Sequence, residues 1–381
     1  MRKKILSLIL ASVMLLSMAA CGNSGNGAAT GTTETADENL KIAIVSSPAG
    51  VDDHSFNEDI YNGILAFLES HPGSTVTPVQ ETTGDTAASL AAVAEIVADY
   101  DVIVCCGFQF AGISDIAIQN PNIKFILVDS FPSDANGNEV EVDNIFAMCF
   151  AEQESGFFAG MAAALETKSG KVAVVNGVAY PSNVNYQYGF ECGVKYVNET
   201  EGRHVEIVEL PSYAGTDVTG ADVGGNYIGS FADIETGKVV GRALIAEGVD
   251  IIFAAAGTAG SGVLDAVKDA EGVMFVGVDI DQYDDGFDGD RNVILTSAIK
   301  VMHSDVEKTL NAIAVGFFGG GNVTLQVDTG STGYVNAEGR HQLSAATIEK
   351  IDAAYELLQS GDIVPAANFN GITPDSFTWK H

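Results

Sequence analysis

From Leu40 onward, short apolar runs alternate with amphipathic segments. Runs of β-branched residues predict strands, and apolar residues three and four positions apart predict helices. The first part of this pattern predicts strands at 41–46, 76–81, 102–106 and 124–128 and helices at 56–70, 86–99 and 110–119. Strands that are apolar throughout are typical of a parallel sheet covered on both faces. The pattern therefore predicts a doubly wound α/β lobe.

The same alternation restarts near residue 145 and predicts a second lobe of the same type. Its expected strands are 145–150, 172–176, 205–210, 251–255 and 274–278, and its helices are 152–167, 184–198, 234–247 and 261–269. The remaining elements, at 293–298, 301–317, 323–327 and 345–360, are too few for a third domain. We expect 40–146 plus about 280–318 to form lobe 1, and 147–279 plus about 319–381 to form lobe 2. The hinge would then cross three times, near 143–150, 279–292 and 316–322.

The first 21 residues have the pattern of a secretory signal peptide. Three basic residues precede the apolar run 5–18, which is too short for a comfortable membrane span. The stretch from Leu16 to Cys21 resembles a bacterial lipobox, in which Cys21 becomes the lipidated first residue. Ordinary cleavage to a secreted protein is the alternative. Residues 22–39 have no apolar side chain larger than Ala, which is typical of a flexible tether.

Composition narrows the possible partners. The 381 residues include 18 Lys and Arg against 51 Asp and Glu, a formal net charge of -33. Such a surface repels nucleic acids and other polyanions. Four cysteines other than Cys21 stand in apolar segments without metal-ligand spacing, so we expect core thiols at Cys105, Cys106, Cys149 and Cys192.

Polar and aromatic residues follow several of the predicted strands. In doubly wound sheets, ligands lie beyond the carboxyl ends of the strands. Residues in such positions include Phe56, Asn57, Gly107, Phe108, Asp129, Gly257 and Asp279. Two such rims facing each other would form a cleft between the lobes.

The residue types at these rims favour binding over catalysis. We find no nucleophile elbow, phosphate loop or zinc motif, and we expect no cofactor and no metal. The acidic run 279–286 suggests a calcium loop, but Tyr283 and Asn292 occupy positions where oxygen-rich ligands are expected. Aromatic faces, carboxylates and amides suit a neutral ligand with a flat ring and hydroxyl groups, such as a nucleoside.

A series of short motifs, in order along almost the whole chain after the signal peptide, resembles a known family. The motifs are GVDDHSFN (50–57), CGFQF (106–110), FILVD (125–129), ESGFFAG (154–160), GF (189–190), YIGSF (227–231), AAG (255–257), VGVD (276–279) and TSAIK (296–300). They are similar to those of the basic membrane protein family of ABC-transporter solute-binding lipoproteins, whose characterised members include purine nucleoside receptors. The resemblance implies a type I periplasmic-binding-protein fold and a monomer anchored outside the cytoplasm, with permease and ATPase partners.

The resemblance also implies roles for individual residues. Phe56 would stack on the base with Phe231 opposite, and Asn57 would hydrogen-bond the base edge. The ribose hydroxyls would be held by Asp129, Asp279 and Lys300, and Gly257 would let backbone approach the ligand. Ser47 stands where the family often has Asp, so the resemblance does not fix which base this position selects.

Other interpretations remain at this point. Phe56 could serve to fix its helix on the sheet, the two aspartates could form turns, and Lys300 could be a surface cation. At the level of function, the alternatives are a receptor for a sugar or another small polar solute, a sensing lipoprotein without transport, and an enzyme acting on nucleosides.

Overall fold

A computed structural model describes residues 39–368 and 370–380. The predicted signal peptide, Cys21 and all of the predicted tether except Asn39 lie outside these ranges. Within them, no helix combines the length and the apolar character needed to cross a bilayer.

The described residues form strands and helices in regular alternation. The strands are β1 (Lys41–Ser46), β2 (Thr75–Gln80), β3 (Val102–Cys106), β4 (Lys124–Val128), β5 (Ile145–Phe150), β6 (Lys171–Asn176), β7 (Glu206–Ile207), β8 (Gly215–Thr216), β9 (Asp222–Gly224), β10 (Ile251–Ala255), β11 (Met274–Asp279), β12 (Phe287–Asp288), β13 (Arg291–Asn292), β14 (Ile294–Lys300), β15 (Gly321–Leu325) and β16 (Thr332–Tyr334). The α-helices are α1 (Phe56–Ser70), α2 (Thr86–Ile96), α3 (Ser114–Gln119), α4 (Glu152–Glu166), α5 (Pro181–Glu201), α6 (Ile234–Ala246), α7 (Thr258–Lys268), α8 (His303–Ala314) and α9 (Ala345–Ser360). Short 3₁₀ helices span Val97–Asp99, Phe108–Ile113, Pro211–Tyr213, Tyr283–Gly286 and Val327–Thr329.

Two six-stranded sheets organise the molecule into two lobes. The first sheet has the order β2-β1-β3-β4-β5-β15, and all of its pairs are parallel. The second has the order β7-β6-β10-β11-β14-β16, in which only β16 runs antiparallel to its neighbour. Both follow the doubly wound order 2-1-3-4-5. The predicted fold class, two doubly wound lobes, is confirmed.

The apolar strands are covered on both faces, as their composition requires. In the first lobe one apolar layer joins α1 and α8 to the sheet, and a second joins α2 and α3 to its other face. In the second lobe α4, α5 and α9 cover one face, and α6 and α7 cover the other. Three of the four described cysteine thiols are buried and Cys149 is half-buried, and none of the four forms a disulfide.

Two strands differ from the predicted division between lobes. We expected 280–318 in lobe 1 and 319–381 in lobe 2, but β14 lies in the second sheet and β15 in the first. The physical reason is that the local sequence of a strand does not specify which of two similar sheets it joins, so the points at which the chain crosses between lobes decide the assignment. The chain passes between lobes after Phe150, after Lys300 and after Leu325, so the last two crossings lie later than expected.

Candidate functional site

A cavity lies between the lobes, beyond the carboxyl ends of the parallel strands. It encloses about 550 Å³ of space, part of it open to solvent. All eight residues predicted from the sequence line it. Those from the first lobe are Ser47, Phe56, Asn57 and Asp129, and those from the second are Phe231, Gly257, Asp279 and Lys300.

Aromatic rings from both lobes line the cavity. Phe56 is the first residue of α1, and Phe231 lies on the loop before α6; each is half-buried. Two further rings, Phe108 of the first lobe and Tyr180 of the second, meet at this place. The ring centroid of Tyr180 lies 5.4 Å from that of Phe108 and 5.9 Å from that of Phe231. A flat solute in the cavity would therefore meet aromatic surface contributed by both lobes.

The loop before Phe231 is shaped around that ring. A side chain at Gly177, just after β6, would overlap the phenyl group of Phe231. Gly257 has φ +54°, and a Cβ there would lie 3.3 Å from the carbonyl oxygen of Phe231. Glycine permits both the close approach and the left-handed backbone. These two positions therefore allow Phe231 to reach the cavity.

A hydrogen-bond network fixes the turn between β1 and α1. Asp53 accepts hydrogen bonds from the backbone N–H groups of Ser55, Asn57 and Glu58 at 3.0–3.1 Å, and so caps the helix. Asn57 donates its amide hydrogens to Asp53 at 2.7 Å and to the Ser47 hydroxyl at 3.0 Å. Its amide oxygen accepts from the Ser47 N–H at 3.3 Å. Burial raises the pKa of Asp53 to about 6, although these hydrogen bonds oppose the shift.

This network limits what Asn57 can offer a ligand. Both amide hydrogens are engaged within the protein, so the remaining capacity of Asn57 is as an acceptor. The Ser47 hydroxyl accepts from Asn57 and, at 3.4 Å, from the Ala49 N–H, and it retains its own hydrogen for donation. Together the two side chains present one acceptor and one donor.

Asp129 and Asp279 occupy equivalent positions in the two lobes, at the carboxyl ends of β4 and β11. Both have left-handed backbones, with φ 63° and 64°. Residues other than glycine rarely adopt this conformation, and it concentrates at functional sites. The same left-handed conformation therefore turns the chain after each strand and places each aspartate at the cavity.

Lys300 is the buried centre of the polar half of the cavity. It is 2% exposed, and its Nζ donates to Asp129 at 2.6 Å and lies 3.5 Å from Glu152 and 3.9 Å from Asp279. The same nitrogen lies 4.8 Å from the ring centroid of Phe56. Burial alone would lower the pKa of Lys300, but the three carboxylates outweigh it and hold the pKa above its usual value. The alternative of a surface cation is wrong.

The carboxylates around Lys300 differ in their other partners. Asp279 accepts from the Ser55 hydroxyl at 2.6 Å and from the Tyr186 hydroxyl at 2.9 Å. Glu152 accepts from the Asn185 amide at 2.9 Å, and its burial raises its pKa to about 8 despite the attraction of Lys300. Asp129 Oδ1 is buried and has no hydrogen-bond partner among the described residues. That oxygen is an acceptor available to a ligand hydroxyl.

The acidic run after β11 has a structural explanation. Asp281 accepts from Arg340 Nε at 2.7 Å, and Asp284 accepts from Arg340 Nη1 at 2.8 Å. Among the described residues no group of three or more His, Cys, Asp or Glu side chains is placed to hold a metal ion.

Sequence reasoning missed Glu152 and Tyr180 as residues of this site. Glu152 begins α4 directly after the first crossing between lobes, and an acid at the start of a helix that lies almost wholly in the core was an available signal. Tyr180 stands just before α5 and carried no signal of its own, because its contacts with Phe108 and Phe231 depend on how the lobes meet. Tyr186 is buried in the same part of the site and donates to Asp279.

Two doubly wound lobes with a cavity lined by both are the architecture found in periplasmic-type binding proteins. A model of the family described as ABC transporter substrate-binding protein PnrA-like matches residues 40–210 and 219–363. The chain belongs to this basic membrane protein family. The interruption in the match, residues 211–218, includes β8, the first strand of the β8–β9 hairpin that precedes Phe231.

Individual relatives agree with this placement. The chain is 28% identical over 374 residues to the CD4+ T-cell-stimulating antigen of Listeria innocua, covering 94% of this chain and 96% of that protein. It is 27% identical over 339 residues to the ABC transporter nucleoside-binding protein BmpA of Lactococcus lactis, covering 85% and 88%. A crystal structure of solute-binding proteins of an ABC transporter system from Aeropyrum pernix K1 superposes with a TM-score of 0.72 at 22% identity, covering 88% and 96%.

Proposed function

We propose that this protein is a lipid-anchored receptor that captures a nucleoside, specifically a purine nucleoside, outside the cytoplasm and delivers it to an ABC importer. The observation that carries the proposal is the cavity's division into an aromatic half and a polar half. Phe56 and Phe231, from different lobes, stand at the aromatic half, and the Lys300 cluster forms the polar half. The nucleoside-binding relative from Lactococcus lactis supports the same ligand class.

The base would lie between the two phenyl rings. Stacking of aromatic rings contributes about 0.5–1.5 kcal/mol beyond the burial of area. At the edge of the base, Ser47 would donate to a ring nitrogen or carbonyl, and Asn57 would accept from an N–H group. This donor and acceptor would recognise the edge of the base without the charged acid that the family often has at position 47.

The sugar would lie against the Lys300 cluster. The free oxygen of Asp129 would accept a hydrogen bond from a ribose hydroxyl, and Lys300 would donate to a ribose oxygen. Asp129 and Asp279 together outnumber the one ammonium group of Lys300, even without a charge on Glu152, so a phosphate would meet net repulsion. The proposal therefore names nucleosides and excludes nucleotides.

The test is calorimetric titration of the purified protein with nucleosides, free bases, nucleotides and sugars. We expect a purine nucleoside to bind and its monophosphate to bind far more weakly. Phe56→Ala should reduce the affinity about tenfold or more, since 1.4 kcal/mol corresponds to a factor of ten and the variant loses both stacking and buried area.

The matched control is Phe317→Ala, which removes a phenyl ring that is 84% exposed and lies outside the cavity. It should bind nucleosides like the unmodified protein. Equal affinity of both variants for every nucleoside would show that Phe56 does not stack on the ligand, and binding of sugars alone would reject the nucleoside assignment.

A further inference from the structure

An apolar patch lies on the first lobe between α8 and β15. Its members are Val315, Phe317 and Phe318, and we call it the α8–β15 patch. Phe317 is 84% exposed and Val315 is 67% exposed, higher fractions than any other large apolar side chain of the described residues. Beside them a groove of about 630 Å³, partly open to solvent, is lined by Phe146 and Leu325 among other residues. Contiguous exposed apolar surface commonly marks an interaction site.

The way α8 ends does not account for the exposed ring. Gly316 has φ 72°, and the N–H groups of Gly316 and Phe317 donate to the carbonyls of Ile313 and Ala312. This is a Schellman motif, in which the residue at the Phe317 position often packs back on the helix. Here the ring of Phe317 remains in solvent. The motif therefore explains the backbone conformation at the end of α8 but not the exposure of this side chain.

The patch lies at the end of the lobe opposite the cavity. Gly321, which follows the patch, pairs in parallel register with Phe146 at the start of β5, and β4 and β1 begin at this same edge with Lys124 and Lys41. The cavity, in contrast, is lined by residues at the carboxyl ends of these strands. A partner bound at the patch would therefore leave the cavity accessible.

The chain outside the structure reaches the lobe at this same edge. Residues 22–39 lie between Cys21 and the start of the first lobe. Eighteen residues span at most about 60 Å, and chains rich in Gly and Ser span on average about 23 Å. A lipid on Cys21 would therefore hold this edge of the lobe, and the patch with it, near the membrane.

The charges beside the patch suit a membrane of neutral headgroups. Lys124 Nζ lies 5.5 Å from the ring centroid of Phe318, and Lys308 forms an exposed ion pair with Asp305 at 3.0 Å. Local charges of both signs are thus present, while the chain as a whole carries a formal charge of -33. Strong attraction to anionic lipid is excluded, and apolar insertion is the interaction that remains.

We propose that the α8–β15 patch contacts the interfacial region of the membrane to which the protein is anchored, with Phe317 inserted among the lipid headgroups. This inference rests on the proposed lipid anchor at Cys21. It gives the anchored receptor a preferred orientation between deliveries, in which the first lobe faces the bilayer and the mouth of the cavity faces away from it. Delivery to the importer requires the mouth of the cavity to face the membrane, so the patch would leave the bilayer at that step.

The experiment places a single fluorophore in the patch. The chain has one Trp, Trp379, and a Trp379→Phe background allows Phe317→Trp to report alone. Full mature chain with a hexahistidine tag in place of Cys21 is bound to phosphatidylcholine vesicles that contain a nickel-chelating lipid, with and without brominated phosphatidylcholine. The expected result is a shift of Trp emission to shorter wavelength on vesicles and loss of most of the emission with brominated lipid.

The matched control is Val364→Trp in the same background, since Val364 is 47% exposed on the second lobe. Its emission should not change. Equal quenching at both positions, or quenching at neither, would overturn the proposal. A shift of the Phe317→Trp emission without vesicles that grows with protein concentration would also overturn it, in favour of a second copy of the chain.

Two further measurements test lipidation of Cys21 and nucleoside binding separately from membrane contact of the patch. The nickel-chelating lipid supplies an anchor whether or not Cys21 is lipidated, and mass spectrometry of the native amino terminus tests lipidation independently. Calorimetry of Phe317→Trp with nucleosides tests the cavity alone. An unmodified native terminus would remove the membrane orientation from the natural protein even if the patch inserts in vesicles.

Discussion

Glu152 shows how burial, rather than residue type, sets the chemistry of a single side chain. It is 2% exposed beside Lys300, and burial raises its pKa to about 8, the attraction of Lys300 notwithstanding. Burial therefore favours the protonated form of this carboxyl group. In that form the charged groups nearest the cavity are Lys300 and two aspartates, which balance one another more closely than three carboxylates would.

This raised pKa predicts a pH dependence of stability. A carboxyl group that binds its proton more tightly in the folded state stabilises that state at low pH, and the contribution is lost as pH rises. For Glu152 the loss should run from about pH 4.5, its ordinary pKa, through about pH 8. Relative to Glu152→Gln, the free energy of unfolding of the natural protein should therefore fall between pH 5 and about pH 9, as measured by urea denaturation.

Buried acids far from this cluster would tilt both curves equally, so the difference between the two proteins isolates Glu152 together with its interactions with Lys300 and Asp129. Glu349→Gln, which neutralises an exposed residue on α9, serves as the control and should give a difference that does not vary with pH. Parallel curves for the natural protein and Glu152→Gln would contradict the assigned pKa.

At the scale of elements, the close contact of α4 and α5 positions part of the cavity. Glycines on each helix face the backbone of the other, and a Cβ at Gly160 would overlap the carbonyl oxygen of Phe190. The amino-terminal part of α5 carries Asn183 and Tyr186 into the cavity lining. The separation of the two helices therefore bears on both stability and the site.

Gly160→Ala should force the helices apart. Overpacking costs about 1–3 kcal/mol, which exceeds the roughly 1 kcal/mol by which Ala favours a helix over Gly. We expect a lower free energy of unfolding in urea and weaker nucleoside binding. Gly319→Ala is the matched control, because a Cβ at Gly319 would meet no atom within 4 Å; equal stability of the two variants would contradict the packing argument.

Local pattern determined most of the elements, and tertiary contact determined the rest. The predicted ranges of β1, β3, β4, β5, β10, α1 and α9 agree with the structure residue for residue. The short pairs β8–β9 and β12–β13 were missed because strands of two or three residues have no detectable period. The assignment of β14 and β15 to sheets failed for a different reason, since pairing with a distant edge leaves no local signal.

The candidate site divides in the same way. Phe56 and Asn57 stand in one strand-to-helix turn, so position alone marked them. Phe231 and Lys300 required the resemblance to a family, because each meets the cavity from the other lobe. Tyr180 became recognisable only in the structure, whereas Glu152 had a signal in its position at the start of α4 that was overlooked.

At the scale of the molecule, the two lobes are joined across the mouth of the cavity by specific hydrogen bonds. The Ser55 hydroxyl of the first lobe donates to Asp279 of the second at 2.6 Å, and the Gln282 amide donates to the carbonyl oxygen of His54 at 2.9 Å. Lys300 and Asp129 form a third link. These bonds exist only when the lobes are together, so they bear on closure rather than on the stability of either lobe.

Removing the Ser55 hydroxyl should shift the balance between open and closed forms. A hydrogen bond to a charged group contributes about 1.5–3 kcal/mol when its partner is buried, and in an open form water would solvate Asp279 instead. In Ser55→Ala the closed form therefore loses stability, and apparent affinity falls in proportion to the closed fraction. We expect a larger radius of gyration in X-ray scattering without ligand and nucleoside affinity reduced about tenfold.

Ser70→Ala, at the other end of α1, provides the comparison for Ser55, which directly precedes that helix. The Ser70 hydroxyl donates to the carbonyl of Phe67 within the first lobe, at 3.0 Å, and makes no link between lobes. Its loss should change neither scattering nor affinity. If Ser55→Ala likewise changes neither scattering nor affinity, closure does not depend on this bond. The free energy that holds the lobes together must then come from the ligand and the Lys300 cluster, because only contacts made in the closed form shift the population toward it.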